Sequence, residues 1–152
     1  MKYELIKSKK DDIARLIEYK KKTIFEYAHD LDEKEIKKIN DYINKNVLIE
    51  IGNYFNIIVD DKIVGCLLLT SKDDGILIDE LYIEEDYRNH GIGSEIIKNI
   101  LNNNNIVYLW AYKLNKKAIS LYQRLGFSSV LETETRIFMK YVKNLGDNYK
   151  TV

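Results

Sequence analysis

The stretch Ile76-Leu77-Ile78-Asp79-Glu80-Leu81-Tyr82-Ile83, followed after a short turn by Arg88-Asn89-His90-Gly91-Ile92-Gly93-Ser94-Glu95, decides how the chain is read. Its first part, rich in β-branched residues, predicts a strand. The strand passes through a glycine-bearing loop straight into a helix over residues 91–102, which buries Ile96, Ile97, Ile100 and Leu101. The first turn of a helix has backbone N–H groups without internal acceptors, and the macrodipole adds partial positive charge there. Gly91 and Gly93 carry no Cβ, so an anion can come close to that backbone. Strand, glycine turn and helix start in this order make a diphosphate site.

Spacing excludes two other phosphate loops. The segment is not G-x-x-x-x-G-K-[ST], the loop of nucleoside triphosphatases. Nor is it G-x-G-x-x-G, and its strand belongs to an antiparallel meander instead of a βαβ unit, so a dinucleotide fold fails on both counts. Two glycines at a helix start are by themselves more often a turn than a site. The neighbours give them meaning.

Upstream, residues 54–59 and 63–70 read as hairpin partners around Asp60-Asp61-Lys62, and residues 72–75 turn into the strand at 76–83. Before them come a strand at 3–6 and two helices. The first follows a cap at Asp11 or Asp12, with Ile13, Leu16, Ile17, Ile24 and Tyr27 at helical spacing; a break near His29 and Asp30 separates the second, over 32–46, with Ile36, Ile39, Ile43 and Val47 on one face. Downstream come a strand at 106–111, a helix at 115–125 ended by Gly126 as a left-handed cap, and a closing hairpin of 127–131 and 137–142. This predicts a single-domain α/β (α+β) fold, a mixed and mostly antiparallel sheet of about seven strands flanked by about four helices. The domain spans 1–143, and 144–152 is a polar C-terminal tail that frays.

Composition narrows the function class. With 24 basic and 24 acidic residues in 152, nothing draws the molecule as a whole to nucleic acid or an anionic membrane. No apolar stretch approaches the ~20 residues of a membrane span and no secretory leader is evident, so a cytoplasmic location is expected. Two histidines and one cysteine offer no structural zinc spacing, and no metal is expected. Cys66, inside the apolar run at 63–69, reads as a buried thiol.

Residues 88–93 resemble the [Q/R]-x-x-G-x-[G/A] signature of the GNAT superfamily of acetyl-CoA-dependent N-acetyltransferases, and Glu80-Leu81-Tyr82-Ile83 looks like that family's fourth strand. Further on, Asn115, Ala118, Tyr122 and Gly126-Phe127 resemble its second motif, N-x-x-A-x-x-x-Y-x-x-x-G-F. The likeness covers residues 3–142; it is carried by motifs in the second half and by element order in the first.

The resemblance implies acetyl-CoA as cosubstrate. Backbone groups of Leu81, Tyr82 and Ile83 would pair with the pantetheine arm as a pseudo-strand. Amides of Asn89, His90, Gly91, Ile92, Gly93 and Ser94 would hold the pyrophosphate, with Arg88 either bonded locally or close to a phosphate. Asn115, which also reads as a helix N-cap, and Tyr122 would lie near the thioester, Tyr122 as general acid. A general base is sought between Asp79 and Glu80, which project to opposite faces of the strand. Residues 91–100 look like the same region of diamine and polyamine acetyltransferases, and that subgroup's pattern favours Asp79. The expected reaction is transfer of acetyl to a primary amine of a small molecule or peptide, in a ternary complex; the resemblance also allows a homodimer. The competing expectation is a non-catalytic CoA-binding sensor or partner-binding module of the same fold.

Overall fold

The computed structural model describes residues 1–144. Apart from Asn144, the tail expected at 144–152 lies outside the described residues. In chain order the elements are β1 (Glu4–Lys7), α1 (Ile13–Tyr27), α2 (Glu33–Glu50), β2 (Tyr54–Val59), β3 (Lys62–Lys72), β4 (Gly75–Ile83), α3 (Ile92–Asn103), β5 (Ile106–Tyr112), α4 (Lys116–Arg124), β6 (Ser128–Glu132) and β7 (Arg136–Val142). The strands form one seven-stranded sheet of order β1-β2-β3-β4-β5-β7-β6. β4 and β5 run parallel; β1–β2, β2–β3, β5–β7 and β6–β7 are antiparallel. The α/β class, the mixed sheet and the four helices are those the sequence implies.

The chain gathers into two compact units, the first comprising Met1–Leu69 with Glu80–Ile92, the second Thr70–Asp79 with the described chain from Gly93 on. In the first, Leu16 and Tyr19 of α1 and Ile43 and Val47 of α2 pack with Tyr54, Cys66, Leu68 and Tyr82 from the strands. Full burial of a side chain such as Leu16 or Ile43 contributes about 1.5–3 kcal/mol. α2 starts in a capping box: the Asp32 carboxylate accepts from Glu35 N–H at 2.8 Å, and Glu35 accepts in return from Asp32 N–H. It runs to Glu50, past the expected end at 46, because Val47 extends the buried stripe, while Ile36 at the other end is exposed.

Before α1 the cap differs from the simple one expected. Asp12 stands at the N-cap, but its carboxylate accepts from Lys9 N–H, Arg15 and Asn56. Gly65 allows β3 to meet the end of β4, since a Cβ there would lie 2.0 Å from the Tyr82 carbonyl oxygen. Nearby, Glu84 N–H donates to the Val64 carbonyl at 2.7 Å. These contacts fix the end of β4.

In the second unit the β4–β5 ladder joins Ile76, Leu77 and Ile78 to Val107, Tyr108 and Leu109. Ile96, Ile97, Ile100 and Leu101 of α3 are buried, as their spacing predicts, along with Val107, Leu109, Ala111 and Met139.

Candidate active site

The end of β4 alternates as a strand should. Asp79 is exposed, Glu80 buried, Leu81 half-buried, Tyr82 buried and Ile83 half-buried. Glu80 is the more unusual of the two carboxylates, because its side chain is only 6% exposed. Tyr54 Oη donates to its Oε1 at 3.2 Å and Cys66 Sγ to its Oε2 at 3.0 Å, while Lys20 Nζ lies 3.6 Å from Oε1. Burial raises the Glu80 carboxyl above its ordinary range; the Lys20 charge and the Cys66 and Tyr54 donors oppose that rise without cancelling it. Burial, and then the neighbouring Glu80 carboxylate, pushes the Cys66 thiol well up, so Cys66 is a neutral donor here. Lys20, itself buried, also donates to Asn46 Oδ1 on α2.

Two residues on, Tyr82 anchors the loop that follows. Its ring stacks on Tyr19 at 4.6 Å between centroids, and the Arg88 guanidinium lies 5.2 Å from its centroid. Arg88 Nε–H donates to the Ile83 carbonyl at 2.6 Å, and Tyr19 Oη donates to the Glu84 carboxylate. Arg88 is thus bonded locally, to a carbonyl and a ring. Desolvation, and then Glu84, raises the Tyr19 phenol, which keeps it a donor at neutral pH.

Past a 3-10 turn at Glu85–Tyr87 the chain takes two left-handed residues, Asn89 at φ 63° and Gly91 at φ 84°, and enters α3 at Ile92. Asn tolerates that conformation and Gly takes it without strain. Asn89, His90 and Gly91 are exposed, Ile92 is buried and pins the helix start, and Gly93 and Ser94 are half-buried. Nothing lies within 4 Å of where a Gly91 Cβ would be. The segment therefore fits a diphosphate: open backbone at the N-terminus of a 12-residue helix.

In the second unit, Asn115 caps α4, its Oδ1 accepting from Ala118 N–H at 3.2 Å. Tyr122, half-buried on α4, meets Phe127 edge-on at 6.0 Å, and Phe127 N–H donates to the Tyr122 carbonyl at 3.0 Å. Gly126 makes the turn between them at φ 106°, the left-handed cap the sequence predicts. The expected site residues thus divide. Glu80, Leu81, Tyr82, Ile83, Arg88, Asn89, His90, Gly91 and Ile92 belong to the first unit; Asp79, Gly93, Ser94, Asn115 and Tyr122 belong to the second.

The sequence reading missed the residues around Glu80. Cys66 reads from the sequence only as a buried thiol, Tyr54 only as the first residue of a strand, and Tyr19 carries no motif. Lys20 did leave a signal. It falls on the stripe of Leu16, Ile17 and Ile24, where a lysine must be buried with a partner or break the helix face.

The fold is shared with solved N-acetyltransferases. PaiA N-acetyltransferase from Thermoplasma acidophilum, solved with coenzyme A, superposes with a TM-score of 0.72 at 20% identity, over 93% of this chain and 99% of its own. An acetyltransferase from Thermus thermophilus gives 0.70 at 17%, over 93% and 97%. The ribosomal-protein-S18-alanine N-acetyltransferase from Escherichia coli gives 0.66 at 15%, over 93% and 94%. At these identities the likeness establishes the fold. No curated protein sequence matches the chain. The sequence profile described as "Acetyltransferase (GNAT) domain" matches residues 50–129, more than half of the chain. The chain belongs to the GNAT acetyltransferase family, and is by that membership a GNAT-type acyltransferase. No helix among the described residues is long and apolar enough to cross a membrane.

Proposed function

We propose that residues 1–143 form a catalytic domain that moves the acetyl group of acetyl-CoA to a primary amine by direct attack in a ternary complex. The observation that carries this reading is the open, left-handed turn at Asn89 and Gly91 at the start of α3, directly after β4. The amides from Asn89 to Ser94 bind the diphosphate, and the backbone of Leu81, Tyr82 and Ile83 pairs with the pantetheine arm. Among the described residues the β4–β5 ladder pairs Ile76–Ile78, and β4 continues five residues beyond it, which supports that role. Asn115 and Tyr122 serve the thioester end.

An alkylammonium, with a pKa near ~10, must lose a proton before it can attack. Of the two strand carboxylates, Glu80 has the surroundings of a proton acceptor: it is buried, hydrogen-bonded and raised above its ordinary range by that burial, whereas Asp79 is exposed on the other face. Glu80 takes the proton directly or through one water. The amine nitrogen then forms its bond to the thioester carbon, the adduct loses a second proton, and the C–S bond breaks. The departing thiolate takes a proton from the Tyr122 phenol, which is refilled from solvent. One proton is released overall.

The acceptor is a small-molecule or peptide amine. Structural neighbours include an enzyme described as acting on an alanine of a ribosomal protein, so both kinds belong in the test. The experiment is a panel of polyamines, amino acids, aminoglycosides and peptide N-termini assayed for free CoA release. Acetyl-CoA-dependent turnover with one class is expected. Stabilisation by acetyl-CoA, about 2.7 kcal/mol at a hundredfold excess over Kd, without turnover on any amine would indicate a binding module instead. No stabilisation would remove both readings.

A further inference from the structure

Lys20 occupies a place that helix α1 gives to apolar side chains, and it is 8% exposed. A lysine is seldom buried to this degree unless its charge is met. Its Nζ donates to Asn46 Oδ1, lies 3.6 Å from Glu80 Oε1, and stands 5.7 Å from the centroid of Tyr42. Glu80 is faced by Lys20 from α1, by Tyr54 from β2 and by Cys66 from β3; α2 acts on it through neutral Asn46, which holds Lys20. Among these, Lys20 carries the only charge opposite to that of Glu80. All belong to the first unit.

Stability alone is a weak reason for such a group. Replacing a buried ion pair with packed apolar residues is often neutral or stabilising, and the two donors to Glu80, Tyr54 and Cys66, belong to an apolar cluster with Leu16, Ile43, Val47 and Leu68. What the ammonium does provide is a fixed charge against the carboxylate. Without it, two neutral donors would face a carboxyl that burial drives toward its protonated, proton-donating form.

We propose that Lys20 is a positioning residue for acetyl transfer: held by Asn46, its ammonium keeps the buried Glu80 carboxylate ionised and oriented to accept the proton of the acceptor amine. The proposal rests on the reading of Glu80 as proton acceptor given above. It assigns Lys20 no contact with substrate. The Tyr54 and Cys66 donors complete the orientation by occupying one oxygen each.

The test has one readout that does not depend on turnover. The Glu80 carboxyl is titrated by carbon-13 NMR in the wild type, in Lys20→Met and in Lys20→Arg, with Glu80→Gln identifying the signal. Loss of an opposite charge at this range is expected to move the Glu80 midpoint up by about 1–3 pH units, with Lys20→Arg restoring most of the wild-type value. The acid limb of kcat/KM for the amine should move by the same amount while the KM for acetyl-CoA stays put. A midpoint unchanged in Lys20→Met would overturn the proposal, as would a moved midpoint with an unmoved acid limb. Wild-type turnover in Glu80→Gln would overturn the reading of Glu80 itself, an outcome separate from the NMR result. If Lys20→Met does not fold, Asn46→Ala keeps both charges and should give a smaller upward shift; no shift there would count against the proposal equally.

Discussion

Eight residues apart on one stretch of chain, Glu80 and Arg88 open two regions built in opposite ways. Around Glu80 the work is done by side chains, all buried, brought from α1, β2 and β3. From Arg88 on the proposed task falls to backbone, exposed from Asn89 to Gly91 and shaped by residues near in sequence. The contrast matches the two tasks proposed above. A diphosphate is bound well by amides that remain open to solvent until the ligand arrives. A proton acceptor needs shifted affinity, and that takes burial and a chosen set of neighbours. The same contrast explains which region the sequence discloses.

The largest effect should come from the side-chain region. Glu80→Gln keeps the shape, removes the charge and exchanges one accepting oxygen for a donating amide, so kcat in steady-state assays should fall by about 10²–10⁴-fold. An unchanged kcat would make the buried cluster structural and shift attention to Asp79. Tyr122→Phe is expected to lower kcat on the order of 10²-fold with acetyl-CoA affinity nearly intact, as an acid acting on the thiolate requires. Unchanged turnover would reject that role.

For the backbone region the corresponding change is Gly91→Val. A β-branched residue at φ 84° is strained and places a side chain where the backbone now stands open. Calorimetry should show CoA affinity reduced by about tenfold or more, the loss of one charge-assisted hydrogen bond. Wild-type affinity would detach the cradle from this turn.

A smaller effect concerns pH and stability. The Glu80 carboxyl is raised in the folded state, so the native protein binds this proton more tightly than the unfolded chain does. Its contribution is fully present below the ordinary carboxyl value of 4.5 and is lost as pH rises through the raised value. Denaturation midpoints of Glu80→Gln, followed across that window, should lack this decline. A parallel decline in both proteins would assign the pH dependence to other groups. Smallest of all, Tyr54→Phe removes one donor to Glu80 and should cost about 1 kcal/mol in urea unfolding.

The legibility of the fold follows the same division. The strand at 54–59, the helix that Asn115 caps and the turn at Gly126 were readable because each rests on a local pattern of periodicity, cap or left-handed glycine. The C-terminal end of α2 was less so, since Val47, Leu48 and Ile49 continue an apolar run that only packing can apportion between core and surface. That β7 lies between β5 and β6, and that β4 meets β5 in parallel, depends on pairing between distant residues, which alternation does not encode. The proposed cradle at Asn89 to Ser94 was visible as a motif because a backbone site needs its glycines close together in sequence. The Glu80 cluster was not, because Lys20, Tyr54 and Cys66 are separated from Glu80 by 60, 26 and 14 residues; Tyr54 and Cys66 have an ordinary alternative as core, and the place of Lys20 on the apolar stripe of α1 calls for a partner without saying which.

The central claim concerns what the turn before α3 holds, and titration calorimetry of the unmodified protein with CoA and with pantetheine, which lacks the diphosphate and nucleotide, tests it. Two or more charge-assisted hydrogen bonds from amides should make CoA bind at least about 100-fold more tightly than pantetheine. Equal affinities, or no heat with either ligand, would contradict the account.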